Sequence, residues 1–342
     1  MRKQMFIHVG AGKTGTSALQ AFLFANEARL AEKGVHSPQE GRVLTGDSFA
    51  HHGLSNHGPH QQPDPEDVLD LWRQVAAYEG PRVALSSEYF HNRVPGVAGR
   101  AFFSAVAQIL CDWDIRIVFY LRRQSQWLQS VYAQWVKGHL LSETFSDFAH
   151  RYTRNPADQI FDFAEIFGAD NVIVRPFERG QFQGGNIQRD FCAAIGIDWD
   201  DAFTIPEGNP NPRLAGDALE LKRQMNRYAE STRELRALQR DLQAYSDLVS
   251  QDSRSVFVSH AMLDADEQRR IEAENEPKYA RIARDFLGRA DGVLFREPLP
   301  DDSKSATSAQ ASVSTDQVQA YLLMQMHRRI AALLKKGATP DK

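Results

Sequence analysis

The sequence predicts an α/β protein: a doubly wound parallel sheet whose first strand opens into a glycine turn shaped for an anion, with helical additions at the C-terminal end. Three observations predict it. An apolar run from Met5 to Val9 passes through Gly10, Gly12 and Gly15 into a helix pattern, Ala18-Leu19-Gln20-Ala21-Phe22-Leu23. Two further strand patterns, residues 82–87 and 115–121, each follow a helix pattern, which is the alternation of a parallel sheet with crossover helices. Residues 214–248 read as helix-rich and highly charged, and 259–287 as a further long helical pattern.

The first strand is assigned because its β-forming residues are apolar, His8 aside, as in a strand covered on both faces. The glycines after it permit positive φ and a close backbone approach to an anion. The free N–H groups of the first helical turn then hold negative charge. This helix stops near Lys33-Gly34. Residues 36–65 are polar, hold Gly41, Gly46, Gly53, Gly58, Pro59 and Pro63, and read as a long loop. Loops of this length are often functional. This one carries His51, His52, His57 and His60, without a fixed metal-ligand motif. A helix at 66–78 leads to the strand at 82–87, which ends in Glu88-Tyr89-Phe90-His91. Chemistry in an open parallel sheet sits just past the carboxyl ends of the strands, so Ser87, Glu88 and His91 are placed there if this strand neighbours the first.

A helix at 97–113 precedes the clearest buried strand, residues 115–121, which runs into Arg122-Arg123. The helix after it, 125–137, carries Trp127, Leu128, Val131, Tyr132 and Trp135 on its apolar face. Helices at 145–148 and 157–167, a strand at 171–177 and a helix at 186–195 follow. Residues 206–212 form a Pro/Asn-rich loop before Arg213. Residues 214–248 and 259–287 are helical, 299–315 read as a Ser/Ala/Asp-rich linker, and 316–336 as an amphipathic helix with a basic end. The organisation expected is therefore an α/β domain at 1–298, a linker at 299–315 and a C-terminal amphipathic helix at 316–342. That helix is expected to dock on the domain or pair with a second copy, with contact to an anionic membrane surface as the alternative.

The details of the glycine turn narrow its chemistry. A nucleotide-hydrolysing P-loop reads G-x-x-x-x-G-K-[ST]. Gly10 and Gly15 keep that separation and Ser17 keeps the hydroxyl position, but Thr16 stands where the lysine belongs, and the lysine has moved inward to position 13. Lys13-Thr14-Gly15-Thr16-Ser17 resembles the 5′-phosphosulfate loop of sulfotransferases that use 3′-phosphoadenosine 5′-phosphosulfate (PAPS). The pattern matches throughout. The likeness extends to a Phe-Gly turn before Asn171 and to the helix end Phe191-Cys-Ala-Ala-Ile-Gly196, as in bacterial members.

The resemblance implies a P-loop-like phosphosulfate cradle formed by Gly12, Lys13, Thr14, Gly15, Thr16 and Ser17. It implies that Lys13 stabilises the charge growing on the bridging oxygen, and that Glu88 sits where relatives supply a catalytic glutamate. His91 is the second candidate for the base that takes the acceptor proton. The 3′-phosphate of the nucleotide is gripped in relatives by an arginine after such a strand and a serine eight positions on; Arg122 and Ser130 have that spacing. Arginine offers phosphate a bidentate fork. Asn211 and Arg213, in and after the Pro/Asn-rich loop, match positions near the nucleotide. The Arg-Lys-Gly signature of many cytosolic relatives is absent, so a third 3′-phosphate contact stays unassigned. The co-substrate implied is PAPS. A sulfuryl group carries one negative charge where a terminal phosphoryl carries about two, so no metal is expected. The acceptor implied is a small molecule or glycan, with the histidine-bearing loop as one wall of its pocket. A kinase with a degenerate loop and a non-catalytic nucleotide-binding protein remain alternatives, since fold alone does not give activity.

Composition narrows the class further. The chain has 342 residues, 42% apolar and 25% charged, with a formal net charge of −4. That balance argues against a general nucleic-acid binder, so an anionic ligand must be held by local donors. No apolar run of about 18 residues is present, so no membrane span is expected, and no signal-peptide pattern is read before the first strand. Cys111 and Cys192 read as buried free thiols, consistent with a cytoplasmic protein.

Overall fold

The apolar runs pair, in the computed structural model of the chain, as one five-stranded sheet. Its strands are β1 (Lys3–His8), β2 (Val35–His36), β5 (Arg82–Ser86), β6 (Trp113–Leu121) and β7 (Val172–Pro176). They lie in the order β2-β5-β1-β6-β7, and every pairing is parallel. The structure describes residues 2–46, 48–55, 64–206, 213–251, 262–263, 265–299 and 315–337. His57, His60, Asn211 and the interior of the expected linker, 300–314, lie outside these residues.

Helices alternate with the strands: α1 (Thr16–Ala25), α2 (Glu27–Glu32), α3 (Pro65–Ala76), α4 (Glu88–Arg93), α5 (Val97–Ile109), α6 (Gln124–Gly138), α7 (Phe145–Arg151), α8 (Pro156–Phe167), α9 (Ile187–Ala194), α10 (Gly216–Asn226), α11 (Arg236–Gln251), α12 (Ala265–Leu287) and α13 (Asp316–Gly337). Successive strand residues point to opposite faces, and each face has its own core. Met5, Ile7, Leu85, Ile117 and Phe119 join Trp72, Phe103 and Phe163 of α3, α5 and α8. Phe6, Ala84, Val118 and Tyr120 join Leu19 and Phe22 of α1 and Phe191 of α9 on the other face. Each large apolar side chain so buried contributes about 1.5–3 kcal/mol. The sheet is therefore covered by helices on both sides, as the sequence predicts.

The residues fall into two compact units. The first, Met1–Trp127 with Arg154–Pro210 and Ile271–Pro298, contains the sheet. The second, Leu128–Thr153 with Asn211–Arg270 and Leu299–Lys342, is helical. Its core gathers Ala218 and Leu221 of α10, Leu242 and Tyr245 of α11 and Val318 of α13, and the Tyr245 hydroxyl donates to the buried Asp217 carboxylate. Helix α13 buries Val318 completely, yet Leu323 is 66% exposed.

Three local readings change. The long loop at 36–65 contains an antiparallel hairpin, β3 (Val43–Thr45) with β4 (Ser48–Ala50), and a 3-10 turn at His52–Ser55. Packing makes this hairpin, not strand propensity. Phe49 is buried edge-on against Phe24 of α1, with the Arg42 guanidinium 3.8 Å above its ring. Secondly, Glu88–His91 do not extend β5; they begin α4, whose first turn is capped by Ser87 Oγ accepting the Tyr89 N–H at 3.1 Å. Thirdly, Cys111 is exposed, because it falls in the turn after α5, whereas Cys192 is buried.

Candidate functional site

The carboxyl edge of the sheet assembles the candidate site. His8 ends β1 level with Ser86 of β5 and Val118 of β6. The chain then leaves the sheet through residues 9–15 and enters α1 at Thr16. Three residues of this turn have positive φ: Gly10 at 23°, Lys13 at 74° and Gly15 at 77°. Lys13 is the one non-glycine residue with positive φ among the described residues. A left-handed lysine costs about 1–2 kcal/mol, and strain of this kind concentrates at functional sites. A side chain at Gly15 would force its neighbours to shift, since a Cβ there would lie 2.6 Å from Ile187 Cδ1. At Gly12 a Cβ would meet nothing within 4 Å.

The hydroxyls of the turn differ. Thr14 Oγ1 is buried and donates to the Ala11 carbonyl at 2.7 Å, bracing the loop from within. Thr16 is buried with no partner for its hydroxyl among the described residues. Ser17 is exposed at the start of α1.

Strand β6 runs three residues past the point where β1 ends, and this overhang brings Arg122 to the turn. Arg122 Nη1 donates to the Lys13 carbonyl at 3.4 Å and its Nε to Gln126 Oε1 at 3.3 Å; the guanidinium lies 5.7 Å from the Phe177 ring centre. One turn into α6, the Trp127 indole N–H donates to the Gly12 carbonyl at 2.9 Å. The structure thus brings Lys13 and Arg122 together, 109 positions apart in sequence.

Glu88 stands on the other side of the turn. Gln20 Nε2 of α1 donates to Glu88 Oε2 at 2.8 Å. His52 Nε2 lies 3.8 Å from Glu88 Oε1, and its Nδ1 is 2.8 Å from Ser87 Oγ. The imidazole stacks on the Tyr89 ring at 4.0 Å. Burial lowers the His52 pKa from its ordinary value, and the Glu88 charge opposes that shift. His91 differs. It is 2% exposed, its ring lies 6.0 Å from that of Phe119 and 6.5 Å from that of Trp127, and burial pushes its pKa down to about 3. His8 and His51 are likewise buried, with burial lowering their pKa values to about 3 and about 4.

Ser130 is half-buried in α6, and Arg213 is exposed just before α10; both belong to the helical unit. Sequence reasoning misses Gln20, Trp127 and the pairing of His52 with Glu88. Gln20 and Trp127 carry no motif, and His52 sits beside a hairpin that the sequence pattern presents as loop. Among the described residues no group of three or more His, Cys, Asp and Glu could hold a metal ion, and no helix is long and apolar enough to cross a membrane.

Fold and site together define a doubly wound α/β protein with a cation-bearing glycine turn at the carboxyl edge of its sheet. No family model matches the chain. An uncharacterized protein of Archaeoglobus fulgidus is 36% identical over 97 residues, which are 28% of this chain and 26% of that one. The match therefore spans about a quarter of the length of the curated relative. Among solved structures, similarity is found to a sulfotransferase from Alicyclobacillus acidocaldarius, at 16% identity over 66% of this chain and 94% of that chain, with a TM-score of 0.38. Mouse sulfotransferase SULT7A1 complexed with PAP is similar at 11% identity over 76% of this chain and 87% of that chain, with a TM-score of 0.33.

Proposed function

We propose that this chain is a sulfotransferase that moves the sulfuryl group of PAPS to a hydroxyl or amine of an acceptor, of which a carbohydrate or glycolipid is the class to try first. The observation that carries the reading is the contact between Arg122 and the Lys13 carbonyl. The reading needs one cation for the 5′ end of the nucleotide and another for its 3′-phosphate, close enough to serve one molecule. The open space at Gly12, the left-handed Lys13 and the unpartnered Thr16 hydroxyl suit an anion held against backbone N–H groups.

Bound there, the nucleotide would supply an activated sulfuryl group. The residues would divide the remaining work. Lys13 places positive charge beside the turn, where a preplaced cation lowers the barrier. Arg122 holds the ribose phosphate. Glu88, with a partly exposed carboxylate, takes the acceptor proton. His91 is the weaker candidate for that role, because its ring is buried and stays neutral far below its ordinary range.

Isothermal titration with adenosine 3′,5′-bisphosphate and with ATP tests the reading. The bisphosphate is expected to bind at least about tenfold more tightly, a difference of roughly 1.4 kcal/mol. Equal or tighter binding of ATP would favour a nucleotide kinase and overturn the proposal.

A further inference from the structure

We propose that Gln20 and His52 are positioning residues that clamp the Glu88 carboxylate from both sides, so that the helix leaving the glycine turn also orients the base. The inference rests on the reading of Glu88 as that base, and its geometry is independent of which acceptor is used.

The clamp follows from hydrogen-bond accounting. Glu88 Oε2 accepts from Gln20 Nε2 at 2.8 Å, and Gln20 is 2% exposed on the inner side of α1. A buried amide is held to its partner because leaving it unpaired is costly. On the other side, the Ser87 hydroxyl accepts the Tyr89 N–H and lies 2.8 Å from His52 Nδ1, which holds the imidazole in place. The other ring nitrogen, Nε2, faces Glu88 Oε1 at 3.8 Å, so a protonated ring forms an ion pair with the carboxylate. Stacking on Tyr89 fixes the plane of the ring. His52 is thus hydrogen-bonded at Nδ1, faces the carboxylate with Nε2, and is 8% exposed. The Glu88 side chain is 29% exposed and keeps lone pairs for an incoming proton. Two titratable groups face the carboxylate, His52 from the 3-10 turn and Tyr89 from α4, and the uncharged amide of Gln20 faces it from α1.

The test follows the His52 ring by NMR through a pH titration of the full chain, with His52→Phe used to assign the signal. Burial depresses the midpoint and the Glu88 charge holds it up, so Glu88→Gln should lower it by about half a pH unit or more. Gln20→Leu frees the carboxylate to swing away and should move the midpoint toward the Glu88→Gln value. In the double variant it should fall no further than in Glu88→Gln alone. If Gln20→Leu fails to fold, Gln20→Met, with a side chain of similar length and no amide donor, makes the same comparison. A His52 midpoint that is the same in wild type, Glu88→Gln and the Gln20 variant overturns the clamp. Titration of the same proteins with adenosine 3′,5′-bisphosphate separates the two proposals: loss of binding in the wild type would overturn the sulfotransferase reading and leave the clamp standing.

Discussion

Alanine at Gly12 and alanine at Gly15 should damage this protein in different ways. At Gly15 the backbone has φ of 77°, and a new Cβ would lie 2.6 Å from Ile187 Cδ1 and 3.2 Å from Phe177 Cε2. The left-handed conformation costs about 1–2 kcal/mol for a non-glycine residue, and displacing packed side chains adds about 1–3 kcal/mol. Gly15→Ala should therefore lose about 2–5 kcal/mol of folding stability. At Gly12 no atom lies within 4 Å of the new Cβ, so stability should change by less than about 0.5 kcal/mol. The same methyl fills the space through which an anion would approach the backbone, and affinity for adenosine 3′,5′-bisphosphate should fall about tenfold or more. Urea denaturation and isothermal titration on the two variants read the two effects separately. The reasoning fails if Gly12→Ala is as destabilised as Gly15→Ala, or if Gly12→Ala binds the nucleotide as wild type does.

Other outcomes follow from the same geometry. Lys13→Ala should fold normally and cut sulfuryl transfer by about a hundredfold or more, the scale of losing one transition-state donor, as read by release of adenosine 3′,5′-bisphosphate from PAPS with a panel of acceptors; unchanged turnover refutes its role. Arg122→Ala should weaken nucleotide binding by about 1.5–3 kcal/mol, for the loss of a charge-assisted contact, and a titration showing wild-type affinity would remove Arg122 from the site. Acid should destabilise the fold through His8, His51 and His91. Their rings are kept neutral in the folded state down to about pH 3 or 4, while in the unfolded chain they bind protons from about pH 6.5. The unfolded state thus holds more protons below about pH 6.5, and stability should fall by about 1.4 kcal/mol per pH unit for each such ring. Urea denaturation between about pH 7 and pH 5, above the ordinary carboxylate range, checks this, and a flat profile refutes it.

The strands were legible because parallel strands covered on both faces leave nearly continuous apolar runs, as at Ile115–Leu121, where Arg116 alone breaks the pattern. The glycine turn was legible because its spacing is local. The hairpin at 43–50 was not. Its strands are three residues long, and they are held by Phe49 packing on Phe24, a residue of another element. The edge strand β2 has two residues and leaves no periodic pattern. The short helix α4 was hidden because Ser87, its cap, reads equally well as the last residue of a strand. The clamp on Glu88 joins positions 20, 52 and 88 from three elements, and no spacing rule connects them. His91 stands close to Glu88 in the chain, but helix geometry turns its ring into the interior.

Register, not sequence distance, decides which groups meet at this site. Strands β1 and β5 end level, so the chain after β5 places Glu88 beside the first helix on one flank of the glycine turn. Strand β6 overruns β1 by three residues and delivers Arg122 to the opposite flank, against Lys13. The turn therefore separates a basic flank from an acidic one. Under the proposed function, the β6 flank would hold the nucleotide while the β5 flank would receive the acceptor proton, and the two can be perturbed independently. Substitutions at Arg122 should move nucleotide affinity with little effect on His52, and substitutions at Gln20 should move the His52 titration with little effect on nucleotide affinity. A variant on either flank that changed both readouts equally would mean that the turn couples them, and the division of labour between the flanks would have to be abandoned.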